Sequence, residues 1–266
     1  MTAEPRRGGT PSAAAPRNRS WRGLLLPAVL AFVVLIALGI WQIERKAWKD
    51  ALIASLTQRV AAPPQALPAA GDWAKLDRTS DEYRRVKFTA SFDNAREAMV
   101  FAAATAFRPD VTSPGYWVFT PARLTDGSLV VVNRGFVPDA RRDPQSRPQG
   151  QIVEPIDMTG ALRWPDDRHW FTPADEPTHN LWFARDPVGI AAAKGLDPKT
   201  VAPFYVELDA PTPPGGLPRP GRLVVALPDN HLQYALTWFG LAAVLAAVFG
   251  TWAATSGRRT PASDRL

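Results

Sequence analysis

The residues in this 266-residue chain that are best suited to bind a cofactor lie around His231, at the start of an apolar segment near the C-terminus. Asp229 and Asn230 precede it and are typical helix N-cap residues. On the helix that follows, His231, Tyr234 and Trp238 are three and seven positions apart, which places them on one face. Imidazole is a common axial ligand of haem iron, and aromatic rings can pack against a porphyrin.

A second group of such residues ends the apolar segment near the N-terminus. It contains Trp41, Gln42 and Arg45, with Lys49 one turn further on. If both segments are helices that cross one membrane in opposite directions, these residues and His231 lie at one depth. A guanidinium or ammonium at that depth could pair with haem propionates. The two groups together predict a haem site at a membrane surface.

A plainer interpretation of the same residues remains open. Tryptophan and tyrosine populate the interfaces of many membrane proteins, and a histidine in a first helical turn can serve only a local hydrogen bond. The other two histidines, His169 and His179, lie in a Trp- and Pro-rich stretch. They are interpreted as loop histidines, or as a metal-ligating pair that has no evident third ligand.

Two apolar runs are long enough to position these residues at a bilayer. Residues Leu24–Ile43 and Leu232–Trp252 are each uncharged and about 20 residues long, which spans roughly 30 Å of hydrocarbon as helix. The first run is too long for a signal-peptide core, and bulky charged residues follow it where a cleavage site should lie. We therefore expect an uncleaved anchor and a lipid bilayer around both runs.

The charge distribution predicts the orientation. The chain has a net charge of +6, and the excess arginines lie in the two tails rather than in the middle. Basic flanks stay cytoplasmic, so both termini should face the cytoplasm and the middle should face outward. This location also removes the reason to expect a nucleic-acid partner. The predicted organisation is a basic disordered tail at 1–23, a first transmembrane helix at 24–43, an extracytoplasmic β-rich domain at 44–230, a second transmembrane helix at 231–253 and a basic tail at 254–266.

The middle of the chain has strand patterns separated by turn signals. Thr125-Asp126-Gly127-Ser128 between two apolar runs predicts a hairpin with a type I′ turn. Asp186 as N-cap, Pro187 at the first helical position and Gly195 after the end predict one short helix. The helix of the first span should continue past Leu56 and fade before Pro63. The fold class is α+β, with an antiparallel sheet. Strands are predicted at Arg84–Phe92, Ala98–Ala106, Tyr116–Arg123, Leu129–Arg134, Ile152–Leu162, Phe204–Leu208 and Leu223–Leu227.

Composition and missing motifs exclude several functions. The chain has no cysteine, which excludes disulfides, thiolate metal sites and covalently attached haem. It contains no HExxH, GxSxG, P-loop or GxGxxG sequence. We therefore predict that the protein is not an enzyme.

Several longer segments occur in an order that resembles the surfeit locus protein 1 family of cytochrome c oxidase assembly factors. The resemblance runs from the first apolar segment to the end of the second. The segments NRGFVP and NHLQYALTWFGLA are the most specific, since each combines many defined positions. The matching segments are Leu38–Ile53, Tyr83–Asp93, Gly115–Leu124, Val131–Pro138, Asn180–Asp186, Phe204–Leu208 and Leu227–Ala242.

The resemblance implies a function in building haem–copper oxidase. It implies transient binding of haem a with His231 as iron ligand, receipt of haem from haem a synthase and delivery to cytochrome c oxidase subunit I. The remaining residues predicted at the cofactor are Tyr234, Trp238, Gln42, Arg45 and Trp41. A membrane scaffold that stabilises a subunit I intermediate without touching haem is the alternative. Glu4 and the lack of an amphipathic transit peptide favour a bacterial inner membrane.

The NRG motif, Asn133-Arg134-Gly135, has two interpretations. In the structural one, Gly135 supplies a permissive backbone and Arg134 pairs with a carboxylate. In the other, the motif docks the oxidase subunit.

Overall fold

The structure is a computed structural model that describes residues 21–103, 113–221, 223–225 and 227–257. Most of both predicted tails, and the end of the predicted strand Ala98–Ala106, lie outside these residues. The chain divides into two compact units. One consists of the residues up to Lys49 together with those from Asp229, and the other is Asp50–Pro228.

The helices and strands of the described residues follow one another in this order. The α-helices are α1 (Trp21–Ala61), α2 (Arg78–Asp81), α3 (Pro187–Ala193) and α4 (His231–Gly257). The strands are β1 (Gln65–Ala66), β2 (Arg85–Phe92), β3 (Ala98–Ala102), β4 (Gly115–Leu124), β5 (Leu129–Pro138), β6 (Ile156–Arg163), β7 (Leu181–Trp182) and β8 (Val201–Ala210).

The long helices α1 and α4 are both long and apolar enough to cross a membrane. Their most apolar stretches are only 6% and 11% buried within the protein. A core helix of a soluble domain would bury most of such a stretch, so these side chains need an apolar surrounding other than this chain. Helix α1 continues past the first apolar run to Ala61, as the helical pattern through Leu56 predicts.

Five strands of the second unit form a closed ring. The order of hydrogen-bonded neighbours is β2-β6-β8-β5-β4, and pairing of β4 with β2 closes it. Strands β5 and β8 run parallel, while the other four contacts of the ring are antiparallel. Closure leaves these five strands without a continuous free edge, which protects them from pairing with other chains. Strands β3 and β7 extend from the outer edge of β4.

Two apolar clusters cover opposite faces of the central strands. Alternation along β5 directs Val130 and Val132 to one cluster and Val131 to the other. All five ring strands contribute to the first cluster, which includes the fully buried Phe204. In the second cluster, α3 packs through Ile190 against the other face of the strands. Burial on both faces explains why β4 and β5 read as nearly continuous apolar runs.

The local predictions for the hairpin and the short helix agree with the structure, apart from the turn type. Asp186 accepts a hydrogen bond from the Gly189 backbone N–H, and Gly195 has a φ of +76° just past the end of α3. Strands β4 and β5 form the hairpin around Asp126-Gly127. The type I′ prediction is wrong, because only Gly127 has a positive φ. The loop has four residues rather than two, and it closes through the Leu124 N–H, which donates to the Ser128 carbonyl.

Two larger predictions are wrong. The sheet is mixed rather than antiparallel, since β1–β2, β3–β7 and β5–β8 are parallel pairs. Their partners lie far apart in the chain, and no local turn signal marks a parallel contact. The late strand at Leu223–Leu227 is also absent: residues 223–225 and 227 are irregular, and residue 226 lies outside the described part.

The NRG motif lies in β5 and is almost wholly buried. Gly135 has a φ of +123°, and a Cβ there would overlap the Arg219 carbonyl, to which the Phe136 N–H donates at 2.8 Å. The permissive-backbone interpretation fits this geometry. The Arg134 guanidinium donates to Asn94 Oδ1 at 2.8 Å and to the Gly150 carbonyl. Its partners are thus an amide and a carbonyl, not the predicted carboxylate.

Arg134 also lies over the Phe92 ring, with its Cζ 4.2 Å from the ring centroid. Burial lowers the pKa of Arg134 to about 10, with nearby Glu97 opposing that shift and Arg147 adding to it. The guanidinium therefore remains charged at neutral pH, held by aromatic and amide contacts inside the domain. These contacts bury the motif within its own unit and favour a structural function for it.

We expect Gly135→Ala to destabilise the domain by roughly 3 kcal/mol or more, since left-handed strain and steric overlap each cost roughly 1–3 kcal/mol. Gly127→Ala is the matched control, because Gly127 has a positive φ but open space around its Cβ position. Denaturant midpoints of the full chain in detergent measure both effects. Equal losses for the two variants would contradict the proposed overlap with Arg219.

A buried ion pair ties β3 to the segment after β5. The Arg147 guanidinium pairs with the Glu97 carboxylate, and both side chains are at most 4% exposed. The Arg147 Nε–H also donates to the Arg141 carbonyl at 3.2 Å. This cysteine-free domain thus uses a charge pair where a disulfide could have joined the two segments.

Removing one partner of this pair should leave an uncompensated buried charge. We expect Glu97→Leu to cost about 3–5 kcal/mol of unfolding free energy, and the double variant with Arg147→Met to recover much of that loss. Denaturant midpoints of the double variant and of each single variant test this. Additive losses in the double variant would show that the two side chains act independently.

Candidate functional site

The site residue His231 is the first residue of α4, and its imidazole faces α1. Its Nδ1 lies 2.7 Å from Oε1 of Gln42, which is only 9% exposed. With Nδ1–H donating and the amide oxygen accepting, the other ring nitrogen, Nε2, keeps its lone pair. Imidazole binds metals through a ring nitrogen that carries a lone pair.

A second contact lies one turn along α1 from the first. Lys46 Nζ is 3.7 Å from Asp229 Oδ2, while Asp229 Oδ1 accepts from the His231 backbone N–H at 2.9 Å. That backbone hydrogen bond is the main cause of the lowered pKa of Asp229, and Lys46 adds to it. Asp229 therefore caps α4 as a carboxylate and joins it to α1, as its N-cap prediction requires.

Small residues allow the two helices to approach closely below these polar contacts. A Cβ on Gly39 would lie 2.6 Å from Cζ of Phe239. Ala235 and Ala242 are each 1% exposed on the matching side of α4. Small residues at such an interface permit close backbone packing where no hydrophobic drive exists between helices in lipid. We call this contact the helix seam, defined by Gly39, Gln42, Ala235, Phe239 and Ala242.

The predicted aromatic residues lie beside the helix seam rather than in it. Trp41 is 47% and Tyr234 53% exposed, whereas Trp238 is half-buried. The Arg45 guanidinium lies 5.9 Å from the Trp41 ring centroid and 5.3 Å from that of Trp48.

Helical periodicity places these side chains on one flank of the antiparallel pair. On α1, Trp41 and Arg45 point in directions that the helix turns through just before it faces α4. On α4, Tyr234 points in the corresponding direction, just before that helix faces α1. In two antiparallel right-handed helices, those directions point to the same side. The flank therefore presents aromatic and cationic groups next to the edge of the seam where His231 is half-exposed.

Comparison with known proteins identifies the family. Residues 29–243 match the sequence profile of the SURF1 family. The chain belongs to the SURF1 family. It is 36% identical to surfeit locus protein 1 of Rattus norvegicus over 252 residues, covering 91% of this chain and 76% of the relative. Surfeit locus protein 1 of Homo sapiens is 34% identical, with 90% and 81% covered. The SURF1-like protein of Monosiga brevicollis is 32% identical, with 90% and 91% covered.

The other two histidines of this SURF1-family chain lie in the second unit. His179 Nδ1 is 3.1 Å from Glu176 Oε2, and His169 stacks on Phe171 with ring centroids 5.4 Å apart. The described residues contain no group of three or more His, Cys, Asp and Glu side chains that could hold a metal ion. An iron bound by a single histidine of the described part would therefore take its remaining ligands from a cofactor.

His231 and the residues beside the helix seam have the chemistry of a haem site. His231 has a free Nε2 lone pair, Trp41, Tyr234 and Trp238 offer aromatic surface, and Arg45 offers a cation for a propionate. A porphyrin supplies four nitrogens itself, so one protein ligand suffices to attach its iron. The donor set thus fits haem, and fits a bare metal ion poorly.

Sequence reasoning placed Gln42 and His231 at one depth but missed their direct contact. The pairing partner was absent from the pattern because a hydrogen bond between two helices leaves no periodic signal on either one. The spacing of Gly39, Gln42 and Lys46 was nevertheless available. A glycine, an amide and a cation at i, i+3 and i+7 on an apolar helix mark a face that meets another element.

The close approach at Gly39 can be tested by widening it. We expect Gly39→Val to increase the distance between α1 and α4, because the new side chain overlaps the Phe239 ring. Adding Phe239→Ala to the same chain should restore the distance. Since the chain has no cysteine, spin labels on cysteines introduced at the exposed positions Ala37 and Thr237 report the distance. Gly240→Val is the control, as a Cβ there meets open space. An unchanged distance in Gly39→Val would contradict the packing at the helix seam.

Proposed function

We propose that this protein is a cytochrome c oxidase assembly factor that binds haem a transiently through His231 and delivers it to subunit I. The observation that carries the proposal is the hydrogen bond between His231 and Gln42. It occupies Nδ1 and leaves Nε2 as a ligand at the edge of an aromatic, cationic flank. The SURF1 family of this chain and its resemblance to oxidase assembly factors support the oxidase as destination.

The same proposal sets the surroundings of the site. Helices α1 and α4 cross a bacterial inner membrane, with both termini in the cytoplasm and the β-rich unit outside. Haem a synthase supplies the cofactor within that membrane, and subunit I receives it. The protein is a carrier rather than an enzyme, and a single imidazole ligand suits it, because a carrier must release its cofactor.

His231 would hold the iron, and the aromatic flank would pack against one side of the macrocycle. Haem a would be the cargo of this protein, and its redox-active iron would function only in the receiving oxidase. Arg45 would pair with a propionate of the haem. Trp41, Tyr234 and Trp238 exclude water from the covered side.

A membrane scaffold that never binds haem is the second candidate. The observation in its favour is an exposed aromatic pair in the β-rich unit, where Trp170 is 95% and Phe171 66% exposed. Large aromatic side chains are enriched at the centres of protein–protein contacts. On this hypothesis these two side chains dock a folding intermediate of subunit I.

The absorption spectrum of the purified protein separates the two candidates. We expect the full chain, co-expressed with haem a synthesis, to carry a Soret band that His231→Ala abolishes. Gln233→Ala, an exposed residue on the same helix, is the control and should keep the band. Oxidase activity of cells that depend on each variant should fall with His231→Ala alone.

Two results would overturn the haem proposal. A colourless wild type would favour the scaffold, particularly if His231→Ala cells keep full oxidase activity. A coloured His231→Ala variant with an unchanged spectrum would show that the iron has another ligand.

A further inference from the structure

Gln42 is a polar residue in an apolar helix, with 9% of its surface exposed. An amide in such a position needs hydrogen-bond partners, because leaving a buried polar group unpaired costs about 1–3 kcal/mol. Its side-chain oxygen has a partner in His231, 189 residues further along the chain. The contact therefore joins the two spans through the ring of the one histidine that faces the seam.

An imidazole can hold its proton on either ring nitrogen, and only the nitrogen without a proton can bind a metal. The hydrogen-bond partner of one nitrogen decides which form is populated. A carbonyl oxygen beside Nδ1 favours the proton at Nδ1, since an oxygen cannot donate. Metal-binding histidines commonly have such a partner, which also fixes the direction of the ring.

We propose that Gln42 is a positioning residue that holds His231 in the Nδ1-protonated form and so leaves the Nε2 lone pair available to the haem iron. This inference rests on the proposed function, because it assigns Gln42 a role in the same site. Gln42 does not touch the iron. It acts through the ring of His231, at 2.7 Å.

The neighbouring contacts hold the first turn of α4 in place. The backbone N–H of His231 is already satisfied by Asp229, at 2.9 Å. The first turn of α4 is thereby fixed from both sides, with its backbone held by a carboxylate and its ring by an amide. With the amide reversed, its NH₂ would donate to Nδ1 and the ring proton would move to Nε2. Nε2 would then have no lone pair with which to bind iron.

The test reads the protonation of the ring directly. Nitrogen NMR of ring-labelled histidine in the full chain, without haem, distinguishes a protonated ring nitrogen from an unprotonated one. The His231→Ala difference spectrum assigns the signals among the three histidines. We expect Nδ1 of His231 protonated and Nε2 unprotonated in the wild type, and a mixture of both forms in Gln42→Leu.

The second readout is haem a affinity, measured by titration in the same detergent. Loss of a hydrogen-bonding partner behind a metal ligand typically weakens affinity 10–100-fold, so we expect about that loss in Gln42→Leu. Gln42→Glu keeps an acceptor oxygen at the same reach, so it should keep the proton on Nδ1 and the affinity within a few-fold. Gln233→Leu, an equal change at an exposed site on α4, should alter neither readout.

The outcomes distinguish this inference from the proposed function. Protonation of Nε2 in the wild type, or an unchanged protonation pattern in Gln42→Leu, overturns the positioning role whatever the haem titration shows. Wild-type affinity in Gln42→Leu, despite altered protonation, overturns it and leaves haem binding intact. If the wild type itself binds no haem, the proposed function fails first, and the protonation spectra still show whether Gln42 sets the form of the ring.

Discussion

A buried amide in an apolar helix needs a hydrogen-bond partner, and the arrangement of the two spans follows from that need. Gln42 finds its partner in the His231 ring, and the two helices must pair in the one register that brings these residues together. Gly39 and Ala235 on the same faces permit that approach. In hydrocarbon, apolar side chains alone give little preference for one pairing over another, so polar contacts and close packing set the register. The orientation of the histidine is a direct result of the way the helices are held.

The β-rich unit solves a different problem with related means. Without cysteine it must close its own sheet, and the β2–β4 contact completes a ring around an apolar interior. Two buried arginines of this unit are paired: Arg147 with Glu97, and Arg134 with Asn94 and a carbonyl. Burial makes each of these pairs costly to break, which helps to specify a single packed state. The NRG motif is therefore best understood as part of the scaffold.

Features encoded by neighbouring residues could be predicted from the sequence, whereas those that depend on distant partners could not. The cap at Asp186 and the glycine at Gly195 mark α3 within ten residues, and the long apolar runs mark α1 and α4. The parallel contact of β5 with β8 joins segments separated by β6 and α3, so the expected antiparallel sheet was wrong. In the same way, the depth of Gln42 and His231 followed from helix length, but their hydrogen bond did not. The aromatic residues Tyr234 and Trp238 were predicted on one face with His231, and in α4 they lie on the flank of the helix seam next to it.

The separation of Gln42 and His231 along the chain also fixes when the site comes into existence during biosynthesis. The first apolar helix is synthesised with an amide whose partner has not yet been made, 189 residues away. At typical elongation rates of about 5–20 residues per second, that interval lasts roughly 10–40 s. Throughout it Gln42 lacks this partner, and the β-rich unit is synthesised before α4. An unpaired amide in the first apolar helix is thus a physical mark by which a chain that stops before His231 differs from one that contains it.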